Sequence, residues 1–280
     1  MGRFDGILIC TDLDGTLYKN DKTISEKNKE AIEYFKSEGG RFTFITGRLP
    51  YYSMDAYASV RPNVPFGCVN GGGLYDGKTG RYIFTKELSS EVIELVRYID
   101  EMFSGIGIQL CCFDRTYFLR ENNITVHFRA VTGVPNLVWN YNDEIEPIAK
   151  IIFCSENEEK IVGIQKALAE HPKSDGFDFI RSERTLFEIL PKGVNKGLAL
   201  QKLAEKLGID IERTIAIGDY DNDVAMIRAA GCGIAVANAS KSALEAADVV
   251  TVSNEDDAIA RIVSDLTNGK YVKLRNGGSL

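Results

Sequence analysis

The chain has 280 residues, enough for one large domain or two modest ones with a buried core. A 44% hydrophobic and 26% charged composition is that of a soluble globular protein, which excludes disordered and fibrous classes. Its 33 basic and 40 acidic side chains leave a formal charge of −7, which argues against a nucleic-acid grip but not against a phosphate held through a cation.

Ile7 to Thr11 is a short apolar run ending abruptly in Asp12, and it reads as a buried strand. Ser25 opens an amphipathic helix with Ala31, Ile32 and Phe35 inward and Gly39 as its stop. Arg41 to Thr46 reads as a second strand, Pro50 starts another helix, and Phe66 to Asn70 reads as a third strand. The alternation implies a parallel sheet with right-handed crossovers.

The middle of the chain has a different grammar. A helix over Ser89 to Met102 precedes strands over Ile106 to Phe113, Thr116 to Arg120 and Ile148 to Cys154. Ser155 and Glu158 suggest a capping box for a helix ending near Glu170. Phe177 to Arg181 and Leu186 to Leu190 read as two more strands. The alternating pattern then returns. Asn195 caps a helix over Lys196 to Leu207, stopped by Gly208. Thr214 to Gly218, Gly233 to Val236 and Val249 to Val252 read as strands, with helices over Asn222 to Ala230 and Ser240 to Ala247 between them. The polar, Gly-rich stretch from about Asn268 reads as a loose tail. The expected organisation is a split α/β domain, 1–84 and 191–280, with an α+β domain, 85–190, inserted into it.

No apolar run reaches the length of a membrane span, and Met1 to Asp5 lacks the layout of a signal peptide. The expectation is a cytoplasmic protein with no membrane partner. The six cysteines form no C-x-x-C pair and read as buried thiols, and two histidines cannot build a His-rich metal site.

Four polar clusters follow strands, where open α/β sheets bind ligands. Asp12-Leu13-Asp14-Gly15-Thr16 sets two carboxylates two residues apart, with a glycine free to turn sharply. The competing reading is a plain turn rich in Asp and Gly. Gly218-Asp219-Tyr220-Asp221-Asn222-Asp223 supplies further oxygen ligands. Bringing such loops together is unfavourable, since two like charges at 4 Å repel by about 4 kcal/mol at an effective dielectric of 20. A hard divalent cation resolves the conflict, and Mg²⁺ suits carboxylates with a phosphate. Thr46-Gly47-Arg48 offers a hydroxyl and backbone N–H groups for phosphate oxygens. Asn70 leads a glycine run, Gly71 to Gly73, and is another polar spot at a strand end. Lys196, at a helix start, is a point charge suited to an anionic group.

Together these motifs resemble the haloacid dehalogenase superfamily of phosphatases, Cof-type with a class IIB cap, over the chain from Phe4 to about Leu266. The motifs in order are Asp12-Leu13-Asp14-Gly15-Thr16-Leu17, Thr46-Gly47-Arg48, Lys196-Gly197, and Gly218-Asp219 with Asn222-Asp223. Tyr220 and Asp221 stand where small or variable residues are common, and Gly72 where Ala is frequent. The resemblance implies a Rossmann-like core carrying an inserted cap that reads the organic part of a small phosphorylated metabolite. It implies Asp12 as nucleophile and Asp14 as general acid and base. It implies Mg²⁺ on the Asp12 carboxylate, the Asp14 carbonyl and Asp219, with Asp223 one step behind, holding Lys196 or a metal-held water. Thr46, Gly47, Arg48, Asn70, Lys196 and Asn222 are the expected contacts of the phosphoryl group. An ordinary Asp pKa near 3.9 leaves about one Asp14 in a thousand protonated at pH 7, so neighbouring carboxylates are expected to raise it. In the cap, Arg115, Arg120, His127, Arg129 and Arg181 are candidate substrate contacts, with surface charge as the competing reading. A phosphomutase or phosphotransferase would share every core residue, and a non-catalytic phosphate sensor is a third class. The oligomeric state is not legible.

Overall fold

The structure, a computed structural model, describes residues 2–144 and 147–271. Most of the expected tail, 272–280, lies outside the described residues. The chain divides into two compact units, Met1–Phe84 with Asn195–Leu280, and Thr85–Val194. The first begins with β1 (Leu8–Thr11), α1 (Glu26–Ser37), β2 (Arg41–Phe44), α2 (Met54–Val60), β3 (Phe66–Cys68), β4 (Gly73–Asp76) and β5 (Arg81–Thr85). The second holds α3 (Val92–Met102), β6 (Gly107–Cys112), β7 (Thr116–Arg120), α4 (Asn123–Thr132), β8 (Leu137–Val138), β9 (Ile148–Cys154), α5 (Glu158–Ala169), β10 (Phe177–Glu183) and β11 (Leu186–Pro191). The chain then returns to the first unit as α6 (Lys196–Leu207), β12 (Thr214–Gly218), α7 (Val224–Ala229), β13 (Cys232–Ala235), α8 (Lys241–Ala246), β14 (Val249–Val250) and α9 (Ala258–Thr267).

In the first unit the main sheet runs β14-β13-β12-β1-β2, parallel throughout. β1 and β12 are buried along their whole length, which is why both read as unbroken apolar runs. Their register pairs Leu8 with Thr214 and Thr11 with Ile217, so both strands end at one rim. β2 ends at the same rim, with Phe44 opposite Thr11. Leaving β1, the chain goes to β2 on one side, while β12 returns on the other, so a topological switch point lies beside β1. Local chemistry fixes the helices. The Ser25 side chain accepts from the Asn28 N–H, the Asn195 side chain from the Leu198 N–H, and Gly208 ends α6 in the left-handed region.

In the second unit a sheet runs β10-β11-β9-β6-β7-β8, antiparallel except for β7 with β8. Alternate residues such as Ile108, Leu110, Ile151, Phe153, Phe187 and Ile189 form one apolar core with Val92, Leu95, Val96 and Ile99 of α3 and Ile161, Ile164 and Leu168 of α5. Trp139 is buried in that core.

The structure departs from the sequence expectation in places. The hairpin β4–β5 and the helices α4 and α9 were not anticipated. His127 lies on α4. The α5 cap is Asn157, whose side chain accepts from Glu159 N–H, while Ser155 Oγ accepts from Asn157 N–H two residues earlier. Ala31 is only half-buried on α1, and Asn28 is fully buried there instead, with its Oδ1 accepting from Ala260 N–H of α9. Among the described residues no helix is long and apolar enough to cross a membrane. All six cysteines are free and buried.

Candidate active site

Asp12 follows directly on β1, and its N–H donates to the Ile217 carbonyl at 2.8 Å, which ties the strand tip to β12. The chain then makes one wide turn, Leu13–Leu17, closed by the Tyr18 N–H donating to the Leu13 carbonyl at 2.8 Å. Gly15 is left-handed at φ 75°, and a Cβ there would collide with the Asp219 carboxylate. Only glycine lets the turn pass so close to the tip of the neighbouring strand. Thr16 Oγ1 donates to Asp219 Oδ1 at 2.7 Å and fixes that carboxylate from the same turn.

Lys196, at the first position of α6, is 1% exposed. Its Nζ donates to Asp12 Oδ1 at 2.7 Å and to Asp223 Oδ1 at 2.6 Å. Asp223 is fully buried, and its second oxygen accepts from the N–H groups of Asp219, at 2.9 Å, and Tyr220, at 3.1 Å. Burial pushes the Lys196 pKa down, but the two carboxylates outweigh it and hold the pKa above the ordinary lysine value. Burial lifts the Asp12 carboxyl well above the ordinary range; Lys196 opposes this, and the charges of Asp223, Asp219 and Asp14 add to it. Asp219 is pushed up to about 6, by burial first and then by Asp223.

Ligand oxygens of Asp12, Asp219 and Asp223 all lie within 4.8 Å of one another, so a divalent cation fits this cluster by charge and by donor type. Both Asp223 oxygens are already engaged by protein donors. That leaves Asp12 and Asp219 as the carboxylates that would hold the ion.

Asp14 differs from the expectation. Arg48 donates from Nε to its Oδ2 at 2.8 Å and from Nη2 to its Oδ1 at 2.6 Å, and Lys22 Nζ adds a third bond at 2.9 Å. Burial pushes the Asp14 carboxyl up, but these bonds and charges outweigh it, and its pKa falls below the ordinary value. Two cations, not the neighbouring carboxylates, dominate here. Arg48 also donates to the Tyr52 carbonyl and lies 5.5 Å from the Tyr18 ring centre.

Thr46 is buried after β2, and its Oγ1 accepts from the Arg48 N–H at 3.2 Å. Asn222 lies in a short turn before α7 and donates from Nδ2 to Asn70 Oδ1 at 3.1 Å. A Cβ on Gly47 would press on the Asn70 amide. Every core residue singled out from the sequence therefore belongs to the first unit, around the strand ends of β1, β2, β3 and β12. Thr16 and Lys22 had been assigned no role. Thr16 sits inside the conspicuous acidic motif, whereas nothing in the sequence around Lys22 marks it.

In the second unit the candidate arginines have carboxylate partners. Arg115 pairs with Asp114 and Arg120 with Asp100, both at 2.8 Å, while Arg129 pairs with Glu121 and Arg181 with Glu158, both at 2.6 Å. His127 is exposed.

Convergent carboxylates around a buried ammonium, at the rim of a parallel sheet, suit phosphoryl transfer assisted by a cation. Residues 9–263 match the haloacid dehalogenase-like hydrolases, and the chain belongs to that family, in its Cof-type branch. Over 263 residues it is 29% identical to a 5-amino-6-(5-phospho-D-ribitylamino)uracil phosphatase of Bacillus subtilis, covering 92% of this chain and 96% of that protein. The crystal structure of a haloacid dehalogenase-like hydrolase from Bacteroides thetaiotaomicron superposes with a TM-score of 0.80 at 25% identity, over 93% of this chain and 99% of that one. A Thermotoga maritima crystal structure gives 0.78 at 26% identity, over 92% and 96% of the two chains. The protein is a phosphoric monoester hydrolase.

Proposed function

We propose that the chain is a magnesium-dependent phosphatase that hydrolyses small phosphate monoesters, sugar phosphates or similar metabolites, through an aspartyl phosphate on Asp12. The observation that carries this reading is the Lys196 ammonium bridging Asp12 and Asp223 beside Asp219, at the ends of adjacent parallel strands. Asp12, Asp219 and the Asp14 backbone carbonyl would hold Mg²⁺. When bound, the ion offsets the charge of the carboxylates and of the incoming phosphate.

A carboxylate oxygen of Asp12 attacks phosphorus, and the bond from phosphorus to the ester oxygen breaks. Once Arg48 and Lys22, which hold it deprotonated in the present geometry, let go and it takes up a proton, Asp14 passes that proton to the leaving oxygen, which departs as an alcohol. Water then attacks the same phosphorus, gives a proton to Asp14, and the bond from phosphorus to Asp12 breaks to release inorganic phosphate. Lys196, Thr46, Gly47 and Asn222 bind the phosphoryl oxygens, where charge builds in the transition state. Asp223 keeps Lys196 aimed at Asp12. The inserted unit, expected over 85–190, reads the organic group. The relative's substrate carries a phosphorylated polyol on a nitrogen heterocycle, so that chemistry belongs among those tested. Six free, buried thiols support a reducing, cytoplasmic setting.

The test is phosphate release from a panel of phosphorylated metabolites, with and without Mg²⁺, beside Asp12→Asn. Activity that survives either the substitution or chelation refutes the mechanism. An isomeric phosphate in place of free phosphate assigns the enzyme to the phosphomutases.

A further inference from the structure

Val69, Asn70 and Gly71 pass consecutively through the left-handed region, at φ 54°, 51° and 100°. Glycine is at ease there and asparagine tolerates it, but a β-branched valine is an outlier. Such a conformation persists only where the surroundings over-determine it, and strained turns cluster at functional sites.

The surroundings here are three loops of the candidate site. The Val69 N–H donates to the Arg48 carbonyl at 2.9 Å and the Asn70 N–H to the Thr46 carbonyl at 3.1 Å, so the turn pins the Thr46–Arg48 loop at both ends. Asn70 is fully buried, and its Oδ1 accepts from Asn222 Nδ2 at 3.1 Å. On the far side Gly71 lies against the Asn195 carbonyl so closely that a Cβ would overlap it, and Asn195 caps the helix that begins with Lys196.

We propose that Asn70 is a positioning residue: its left-handed turn ties the Thr46–Arg48 loop to Asn222 and thereby sets the cradle that receives the phosphoryl group. This rests on the reading of Thr46 and Asn222 given under the proposed function. Asn70 acts through those two residues rather than by touching the substrate. The strained backbone is what brings its amide into line with both loops.

The experiment uses inorganic phosphate as a competitive inhibitor of p-nitrophenyl phosphate hydrolysis by the full chain. Asn70→Gly keeps the left-handed backbone and deletes only the side chain. It is expected to raise the inhibition constant of phosphate roughly two- to tenfold, the scale of one neutral hydrogen bond, with the melting temperature held near that of the parent. The double variant Asn70→Gly/Asn222→Ala should bind phosphate no more weakly than Asn222→Ala alone, because both changes break one link. A parental inhibition constant in Asn70→Gly, a purely thermal loss, or penalties that multiply in the double variant would overturn the proposal. Thr46→Ala and Asn222→Ala that both leave phosphate binding intact would instead overturn the cradle itself, and the proposal with it.

Discussion

Arg48 grips Asp14 through both prongs of its guanidinium, at 2.6 and 2.8 Å, two residues beyond the carboxylate that Lys196 holds. The sequence places Arg48 among the phosphoryl contacts, but the bidentate pair turns it toward the acid–base group. An Arg48→Met variant removes the main opposition to burial, so the Asp14 carboxyl should titrate higher. Carbon-13 NMR of labelled aspartate reads this directly. The Asp14 resonance is expected to midpoint below the ordinary value of about 3.9 in the parent and at or above it in the variant. An unmoved midpoint would show that Arg48 does not control this carboxyl.

Asp14→Asn separates the two proton transfers from the rest of the chemistry. Alkyl phosphates need a protonated leaving oxygen, and their turnover should fall about 10²–10⁴-fold. An aryl ester such as p-nitrophenyl phosphate leaves unaided, so its first step should be largely spared and the phosphoenzyme should accumulate. Rapid-quench trapping measures that burst. Equal losses on alkyl and aryl substrates, without a burst, would remove Asp14 from the acid–base role.

The Lys196 ammonium is enclosed between two carboxylates, and Lys196→Met leaves both without their cation. Breaking a buried pair from one side costs about 3–5 kcal/mol. The variant should therefore unfold at markedly lower denaturant concentration, and kcat should fall about 10²–10³-fold through lost electrostatic stabilisation. Adding Asp223→Asn to it should restore part of the stability and none of the rate. Stability that fails to recover in the double variant would mean that charge is not the cause.

The core strands were legible because β1 and β12 are buried along their length and announce themselves as apolar runs closed by acidic motifs, while the order of the strands was not. Asp12, Thr46, Asn70 and Asp219 stand out for a related reason, since each lies just past a strand end, whereas Lys196 opens a helix. The unread elements are weaker signals. α4 buries only Thr125 and is capped by Asn122 with Thr125 in place of the usual Glu or Gln. By contrast α9 carries a clear helical spacing in Ala258, Ile259, Ile262, Val263 and Leu266, all buried, so its residues are unambiguous. The direction of the Asp14 shift was illegible because it depends on Lys22 and Arg48, eight and thirty-four residues away. Spacing along the chain cannot rank three cations and four carboxylates that meet only in three dimensions.

Gly15→Ala tests the closeness of the two strand-end loops. A methyl group at φ 75° meets the Asp219 carboxylate, so either the turn or the carboxylate must shift. The expected result is an apparent Mg²⁺ affinity lowered roughly 10–100-fold, as for other losses of ligand orientation, with phosphate release recovering at high Mg²⁺. An unchanged Mg²⁺ dependence would show that the Asp219 position is not what the ion requires.

Metal binding should also depend on pH, with a sign fixed by the raised carboxyl of Asp219. Asp219 is held at about 6, so the metal-free protein keeps a proton on it that the unfolded chain releases near 4. A group raised on folding favours the folded state below its unfolded pKa, and that contribution is lost as pH rises through the folded value. The metal-free protein should therefore lose roughly 1–3 kcal/mol from Asp219 between about pH 4 and pH 6. Mg²⁺ displaces that proton and restores the attraction, so its stabilising effect should grow over the same interval. Melting curves with and without Mg²⁺ at pH 5 and pH 7.5 measure the difference, and the Mg²⁺-induced rise in Tm is expected to be larger at pH 7.5. Asp219→Asn should raise the metal-free Tm at pH 7.5 and abolish most of the Mg²⁺ response. A Mg²⁺ shift that is the same at both pH values would separate the raised carboxyl from the metal site.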